Sequence, residues 1–169
     1  MTVWDNLHDK GENIVPNSLQ EFLTKVTQKA VADLETALLR LPDDKRNVSP
    51  MGDARTALDM VAECAILNGT TVEMIKSRTF PADFDYAAFV RAKAELSRDW
   101  NALQSLLREN TSRAIAAIGT VADEDLGIEM QMPWGPLTLA QVIAYPYWNM
   151  SYHEGQINYI ASMFGCLNS

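Results

Sequence analysis

Cysteine is scarce in this chain. Cys64 and Cys166 are its only two, too few for a disulfide framework and at no metal-ligating spacing. Cys64 falls in an apolar helical run and reads as a small buried hydrophobe. Both thiols read as reduced, which fits a cytoplasmic protein. Clustered basic charge is also missing. Lys and Arg number 14 against 22 Asp and Glu, a net charge of 14 − 22 = −8. The basic residues are scattered singly, so no nucleic acid and no anionic membrane is expected as a main partner. No apolar run approaches the length of a membrane span. The opening stretch MTVWDNLHDKGENIVP lacks a cationic segment followed by an apolar one, so it does not read as a signal peptide. There are no repeats and no low-complexity tracts.

What remains is the composition of a globular domain. The chain has 169 residues, 47% of them apolar, which suits one domain over 1–169 with a sizeable core. Residues 1–16 read as an irregular arm, pinned by Trp4 and Leu7, with His8 exposed beside Asp5 and Asp9. A first helix opens at Asn17-Ser18, where Ser18 caps and Glu21 completes a capping box. Its face is Leu19, Phe22, Val26, Ala30, Leu34, Ala37 and Leu41, and Pro42 ends it. A second helix starts between Ser49 and Asp53 and is apolar nearly all round over 57–67, interrupted by Asp59 and Glu63. Asn68-Gly69 reads as its C-cap, with a short helical piece over 72–77.

The segment 80–85 is a connector. A third helix follows over 85–110, its core face Phe89, Ala92, Leu96, Trp100, Leu103 and Leu107 and its wet face Arg91, Lys93, Glu95 and Arg98. Residues 111–121 either continue it or begin another helix. Asp123 to Asp125 form a solvated turn. The alternation over 128–132 suits a short edge strand or an extended linker.

The most patterned stretch is WGPLTLAQVIAYPYWNMSYHEGQINYIASMF, residues 134–164. After a Pro/Gly turn, Leu139, Ile143, Pro146, Met150, His153, Ile157, Ile160 and Phe164 recur at steps of four and three. That is the seam of a helix facing a bundle core. Pro146 removes the hydrogen bond to the carbonyl of Val142 and is expected to kink the helix just before Asn149 and His153. Four long amphipathic helices with modest connections make an all-α four-helix bundle.

Two of these helices carry groups that a core normally rejects. Glu63 lies in the apolar stripe of helix two, and Asn149 and His153 lie one turn apart on helix four. A buried carboxylate needs a partner. Glu63 and His153 either hydrogen-bond each other across the core or, with Asn149, hold a divalent ion. An imidazole, a carboxylate and an amide oxygen with open positions describe a catalytic rather than a structural site. Tyr147, Trp148, Met150 and Tyr152 are candidates to wall a pocket. A nucleophile is less well founded: Cys64 points about 100° away from Glu63 around the helix, and Ser151 has no evident base.

The motifs MPWGPLT at 132–138 and YHEGQIN at 152–158 carry a resemblance. They are similar to the Gly-Thr turn and the last-helix pattern His-x-x-x-His-Arg-Gly-Gln-Ile of the DinB-like (DinB/YfiT) superfamily, and the resemblance extends from about Leu19 to Gly165. It implies a four-helix bundle, often a homodimer. It also implies a site of three histidines, one on helix two and two on the last helix, binding zinc, nickel or another divalent ion. Some members of the family are thiol-dependent transferases; others are hydrolases or isomerases. Carried over, His153 matches the last histidine, with Glu154 in place of the arginine. Asn149 stands where the other last-helix histidine belongs, and Glu63 at the helix-two position. Replacing two imidazoles with oxygen donors weakens zinc, nickel or copper binding and favours harder ions such as manganese or iron, or no ion.

Two functions follow. One is a divalent-metal-dependent transferase or hydrolase acting on a small molecule, with Glu63, Asn149 and His153 as ligands. The other is a non-catalytic bundle, dimeric and stress-related, that binds a small ligand and in which Glu63 and His153 bond directly.

Overall fold

The computed structural model describes residues 16–167; the N-terminal arm with Trp4, Leu7 and His8 lies outside them. Helix α1 spans Leu19–Leu39, α2 Ala57–Ser77, α3 Tyr86–Leu96, α4 Trp100–Ile118 and α5 Leu139–Met163. A 3-10 turn at Asp123–Asp125 and two strands, β1 (Glu129–Met132) and β2 (Gly135–Thr138), precede α5. Helices α1, α2, α4 and α5 form the four-helix bundle, and α3 lies beside α2 as an extra segment.

Ser18 caps α1, its Oγ accepting from the Glu21 N–H at 3.1 Å. Glu21 returns the bond one residue earlier than a capping box requires, accepting from the N–H of Asn17 at 2.9 Å. The buried face of α1 is turned by one residue from the expected one over its first turns. Gln20, Leu23 and Thr27 are buried, while Leu19 and Phe22 are 39% and 44% exposed. The reason is polar. The Gln20 amide reaches the carbonyl of Val121 at 2.9 Å and the Asp123 carboxylate at 2.8 Å, which rotates the helix start toward the 3-10 turn.

Helix α2 begins at Ala57, capped by Thr56, later than the 49–53 expected from the sequence. It also runs through Asn68-Gly69 to Ser77, so the expected C-cap is no cap and 72–77 is the same helix. Both residues serve the crossing of α4 instead. The Asn68 amide donates to Thr111 Oγ1 at 2.9 Å, and the Asn110 amide donates to the Ala65 carbonyl at 2.8 Å. A Cβ at Gly69 would stand 2.7 Å from Asn110 Nδ2, so glycine gives α4 room to approach. The helix stops where Arg78 turns left-handed, at φ 57°.

The third expected helix is two. Helix α3 ends at Leu96, Asp99 recaps by accepting from the Ala102 N–H at 3.1 Å, and α4 continues unbroken across 111–118. The strand expected over 128–132 is present, paired antiparallel with β2 in the register Met132↔Gly135 and Met130↔Leu137. Little in Gly-Pro-Leu-Thr signals a strand; Pro136 has no N–H to donate and is tolerated because the ribbon has only two strands. Met130 and Met132 face inward against the start of α5. The hairpin hands over to α5 through Thr138, which forms a full capping box with Gln141.

Every expected seam residue of α5 from Leu139 to Ile160 is buried, and Phe164 packs partly against the core. The helix runs through Pro146. Two apolar clusters result. One, around Leu34, Leu38, Val61, Leu103, Leu107, Met150 and Ile157, fills the bundle centre. The other, around Leu23, Ile75, Ile118, Met130, Leu139 and Ile143, fills the hairpin end. Among the described residues no helix is long and apolar enough to cross a membrane.

Candidate functional site

Helices α2 and α5 bring Glu63 and His153 together near the bundle centre. The His153 ring is 2% exposed, and its Nε2 lies 3.1 Å from Glu63 Oε1. Its Nδ1 lies 2.7 Å from Gln156 Oε1, one turn further along α5. A carboxylate accepts, so Nε2–H donates to Glu63.

The other carboxylate oxygen of Glu63 faces two cations. Arg55 Nη2 is 2.9 Å from it and Lys93 Nζ 3.5 Å. The same cations hold Asp59, one turn before Glu63: Arg55 Nε at 2.6 Å and Lys93 Nζ at 3.2 Å. Two like charges one turn apart on a helix repel, and Arg55 and Lys93 offset both. Burial pushes the Glu63 carboxyl up. The hydrogen bond from His153 and the positive charges of Arg55 and Lys93 outweigh it and hold the group down at about 2. It is ionised at neutral pH.

Asn149 is buried one turn before His153 and faces Cys64, its amide nitrogen 3.5 Å from Sγ. Burial pushes the Cys64 thiol far up, so it stays protonated and is no nucleophile. The three expected site residues thus lie on facing stretches of α2 and α5. Each makes a hydrogen bond within the protein, and among the described residues no group of three or more His, Cys, Asp and Glu side chains is placed to hold a metal ion. Glu63 and His153 make two, and Asn149 would have to supply the third donor. The donor set as placed fits a divalent ion poorly. A cation arriving at Glu63 meets Arg55 and Lys93, and the imidazole nitrogen aimed into the site is already engaged.

Glu63 also lines a cavity of about 210 Å³. Its walls come from α2, the α2–α3 connector, α3, the hairpin and α5, and include Phe80, Phe84, Phe89, Trp134 and Tyr145. The Tyr145 phenol is pushed up to about 12 by burial and by the charge of Glu63. None of the four expected wall residues lines this cavity; Tyr152 instead lines a separate groove with Arg55, Met60 and Gln156. Tyr147 and Met150 pack in the core, and Trp148 and Tyr152 stack on each other at 5.6 Å on the outer face, each about half exposed.

Sequence reasoning missed Arg55 and placed Lys93 on the wet face of its helix, yet Lys93 is buried. Its spacing was a signal: it falls four residues after Phe89 and three before Leu96, inside the core stripe. Two carboxylates one turn apart on an otherwise apolar helix were the signal for Arg55, four residues before Asp59.

The architecture is that of a four-helix bundle with an added short helix and a two-stranded hairpin. No family model matches the chain and no curated protein sequence matches it. Solved structures do match in fold. YfiT from Bacillus subtilis, described as a probable metal-dependent hydrolase with an unusual four-helix bundle topology, superposes with a TM-score of 0.75 at 17% identity, over 92% of this chain and 93% of that one. A mycothiol-dependent maleylpyruvate isomerase gives 0.66 at 13% identity, over 85% of this chain, which spans only 61% of the isomerase. The colibactin self-resistance protein ClbS, solved in complex with a dsDNA, gives 0.64 at 17% identity over 88% and 98%. The ClbS complex shows that a bundle of this shape is compatible with nucleic acid.

Proposed function

We propose that this chain is a DinB-fold protein that binds a small molecule in the cavity beside Glu63 and holds no metal there. The observation that carries the reading is the state of Glu63. Its charge is satisfied by Arg55, Lys93 and His153, all donors of the protein's own, and one edge of it opens on an apolar cavity. A balanced, pre-organised polar group at the end of an aromatic pocket is the usual makeup of a ligand site. The acidic balance of −8 supports a partner other than nucleic acid. The exposed Trp148, Tyr152 and Tyr159 on α5 support a homodimer.

A second reading is a divalent-metal-dependent transferase or hydrolase with zinc, nickel, manganese or iron on Glu63, Asn149 and His153. It draws support from the likeness in fold to YfiT, a probable metal-dependent hydrolase, and requires Arg55 and Lys93 to withdraw from Glu63. Elemental analysis separates the two. The protein is expressed without a histidine tag, purified without chelator and supplemented with each of the four metals, beside His153→Ala. The expected result is metal far below one equivalent in both. Near-equimolar metal that disappears in His153→Ala would overturn the proposal in favour of the second reading.

A further inference from the structure

The cavity specifies its ligand more closely than by size. Its rings form a chain: Trp134 meets Phe80 edge-on at 5.9 Å, Phe80 meets Phe84 at 5.3 Å, and Phe84 meets Phe89 at 5.7 Å. Trp134, at the hairpin tip, is 66% exposed and lines the cavity. The Thr70 and Thr71 hydroxyls in the wall spend their protons on the α2 carbonyls of Ile66 and Leu67, so they donate nothing to a ligand and offer only neutral acceptor lone pairs. The stronger polar groups are the charged edge of Glu63 and the Tyr145 hydroxyl, which has no hydrogen-bond partner among the described residues.

A carboxylate offers about four acceptor positions. His153 and Arg55 take one on each oxygen of Glu63, and Lys93 adds an ion pair at 3.5 Å, so acceptor capacity remains for a ligand donor. Charge gives a second restriction. Asp59 and Glu63 are balanced by Arg55 and Lys93, so a charged ligand finds no net charge to neutralise and pays its full desolvation. Size gives a third. A dry cavity of about 150 Å³ accepts benzene; at about 210 Å³ this one has room for a fused second ring.

We propose that the cavity binds a neutral one- or two-ring aromatic molecule bearing a hydrogen-bond donor, with its rings among Phe80, Phe84 and Trp134 and its donor on the free edge of Glu63. The assignment rests on the metal-free, ligand-binding reading of the same site.

Isothermal titration calorimetry on the full chain tests it with five probes: indole, 1-methylindole, tryptamine, indole-3-acetate and n-octanol. Indole is expected to bind best. Loss of the N–H in 1-methylindole is expected to weaken binding about tenfold, the lower end of a hydrogen bond to a charged acceptor. Leu67→Trp, which fills the cavity, is expected to abolish binding, and Trp134→Ala at the exposed hairpin tip to weaken it without threatening the fold. Tighter binding of tryptamine or indole-3-acetate than of indole would overturn the charge argument. Equal binding of indole and 1-methylindole would overturn the role of Glu63 as acceptor. Octanol binding without indole binding would sink the aromatic assignment and leave the ligand-binding reading standing. Silence from all five probes would sink both. Indole binding that survives in both variants would place it outside this cavity and overturn the assignment.

Discussion

Replacing Glu63 with Gln keeps the shape of the side chain and removes its charge, which tests the electrostatic account of the site directly. The folded carboxyl sits at about 2 against an ordinary 4.5. At 1.36 kcal/mol per pH unit, that gap corresponds to roughly 3 kcal/mol of stability at neutral pH. The side chain is 17% exposed and shares its cations with Asp59, so screening and sharing reduce the figure to roughly 2 kcal/mol. The sign follows from the depressed value. The stabilisation is fully present above about pH 4.5 and is lost as the pH falls from there toward 2. Urea unfolding followed by far-UV circular dichroism, at steps between pH 7 and pH 2.5, measures it. Glu63→Gln is expected to be less stable than wild type by roughly 2 kcal/mol at pH 7, and the two curves are expected to converge as the pH falls below 4.5. A stability difference that stays constant across that range would refute the reasoning, because the loss at pH 7 would then come from packing rather than charge.

Two further outcomes follow, one from the same contacts and one from the crossing of α2 and α4. Glu63→Gln and His153→Gln together are expected to cost less than the sum of the single changes, with a coupling of about 1 kcal/mol or more in a urea-denaturation cycle; strict additivity would mean that the 3.1 Å contact carries no energy. Gly69→Ala is expected to destabilise the protein by about 1–3 kcal/mol despite alanine's better helix propensity, because the new Cβ would lie 2.7 Å from the Asn110 amide. Pairing it with Asn110→Ala in the same thermal melts is expected to recover part of that loss, and no recovery would mean that Asn110 is not what opposes the Cβ.

The bundle was legible because its strongest signal is periodic. The seam of α5 runs at steps of four and three for six turns, and nothing in tertiary packing overrides a stripe that long. Two of the misreadings share a cause: a residue with a local habit was used for a long-range contact. Asn68-Gly69 carries the signature of a helix end, yet here it lets α4 approach α2. Gln20 is polar and would be placed outside, yet it turns inward to satisfy the Val121 carbonyl and draws Leu23 rather than Phe22 into the core. Such contacts join residues far apart in the chain and leave no local trace.

The site was half legible for a related reason. Glu63 and His153 stood out because each breaks an apolar stripe, and a buried charge demands a partner. What the sequence could not assign was the full partner list, because charge compensation is settled in three dimensions. Lys93 reaches Glu63 from a third helix, and Arg55 from the residues just before α2. These two cations change the chemistry of the carboxylate they approach. A Glu and a His alone at the centre of a bundle form half of a metal site. The same pair with a guanidinium and an ammonium on the carboxylate is a charge-balanced network, in which a divalent ion would have to displace two resident positive charges before it could bind. In this chain, then, the state of the helix-two position depends on Arg55 and Lys93, which lie on the neighbouring segments, as much as on the identity of residue 63. Arg55→Ala and Lys93→Ala together are the changes that would reopen Glu63 to an added ion. The double variant is expected to gain affinity for manganese or zinc over wild type in calorimetric titrations, and an unchanged affinity would show that the two cations are not what excludes metal.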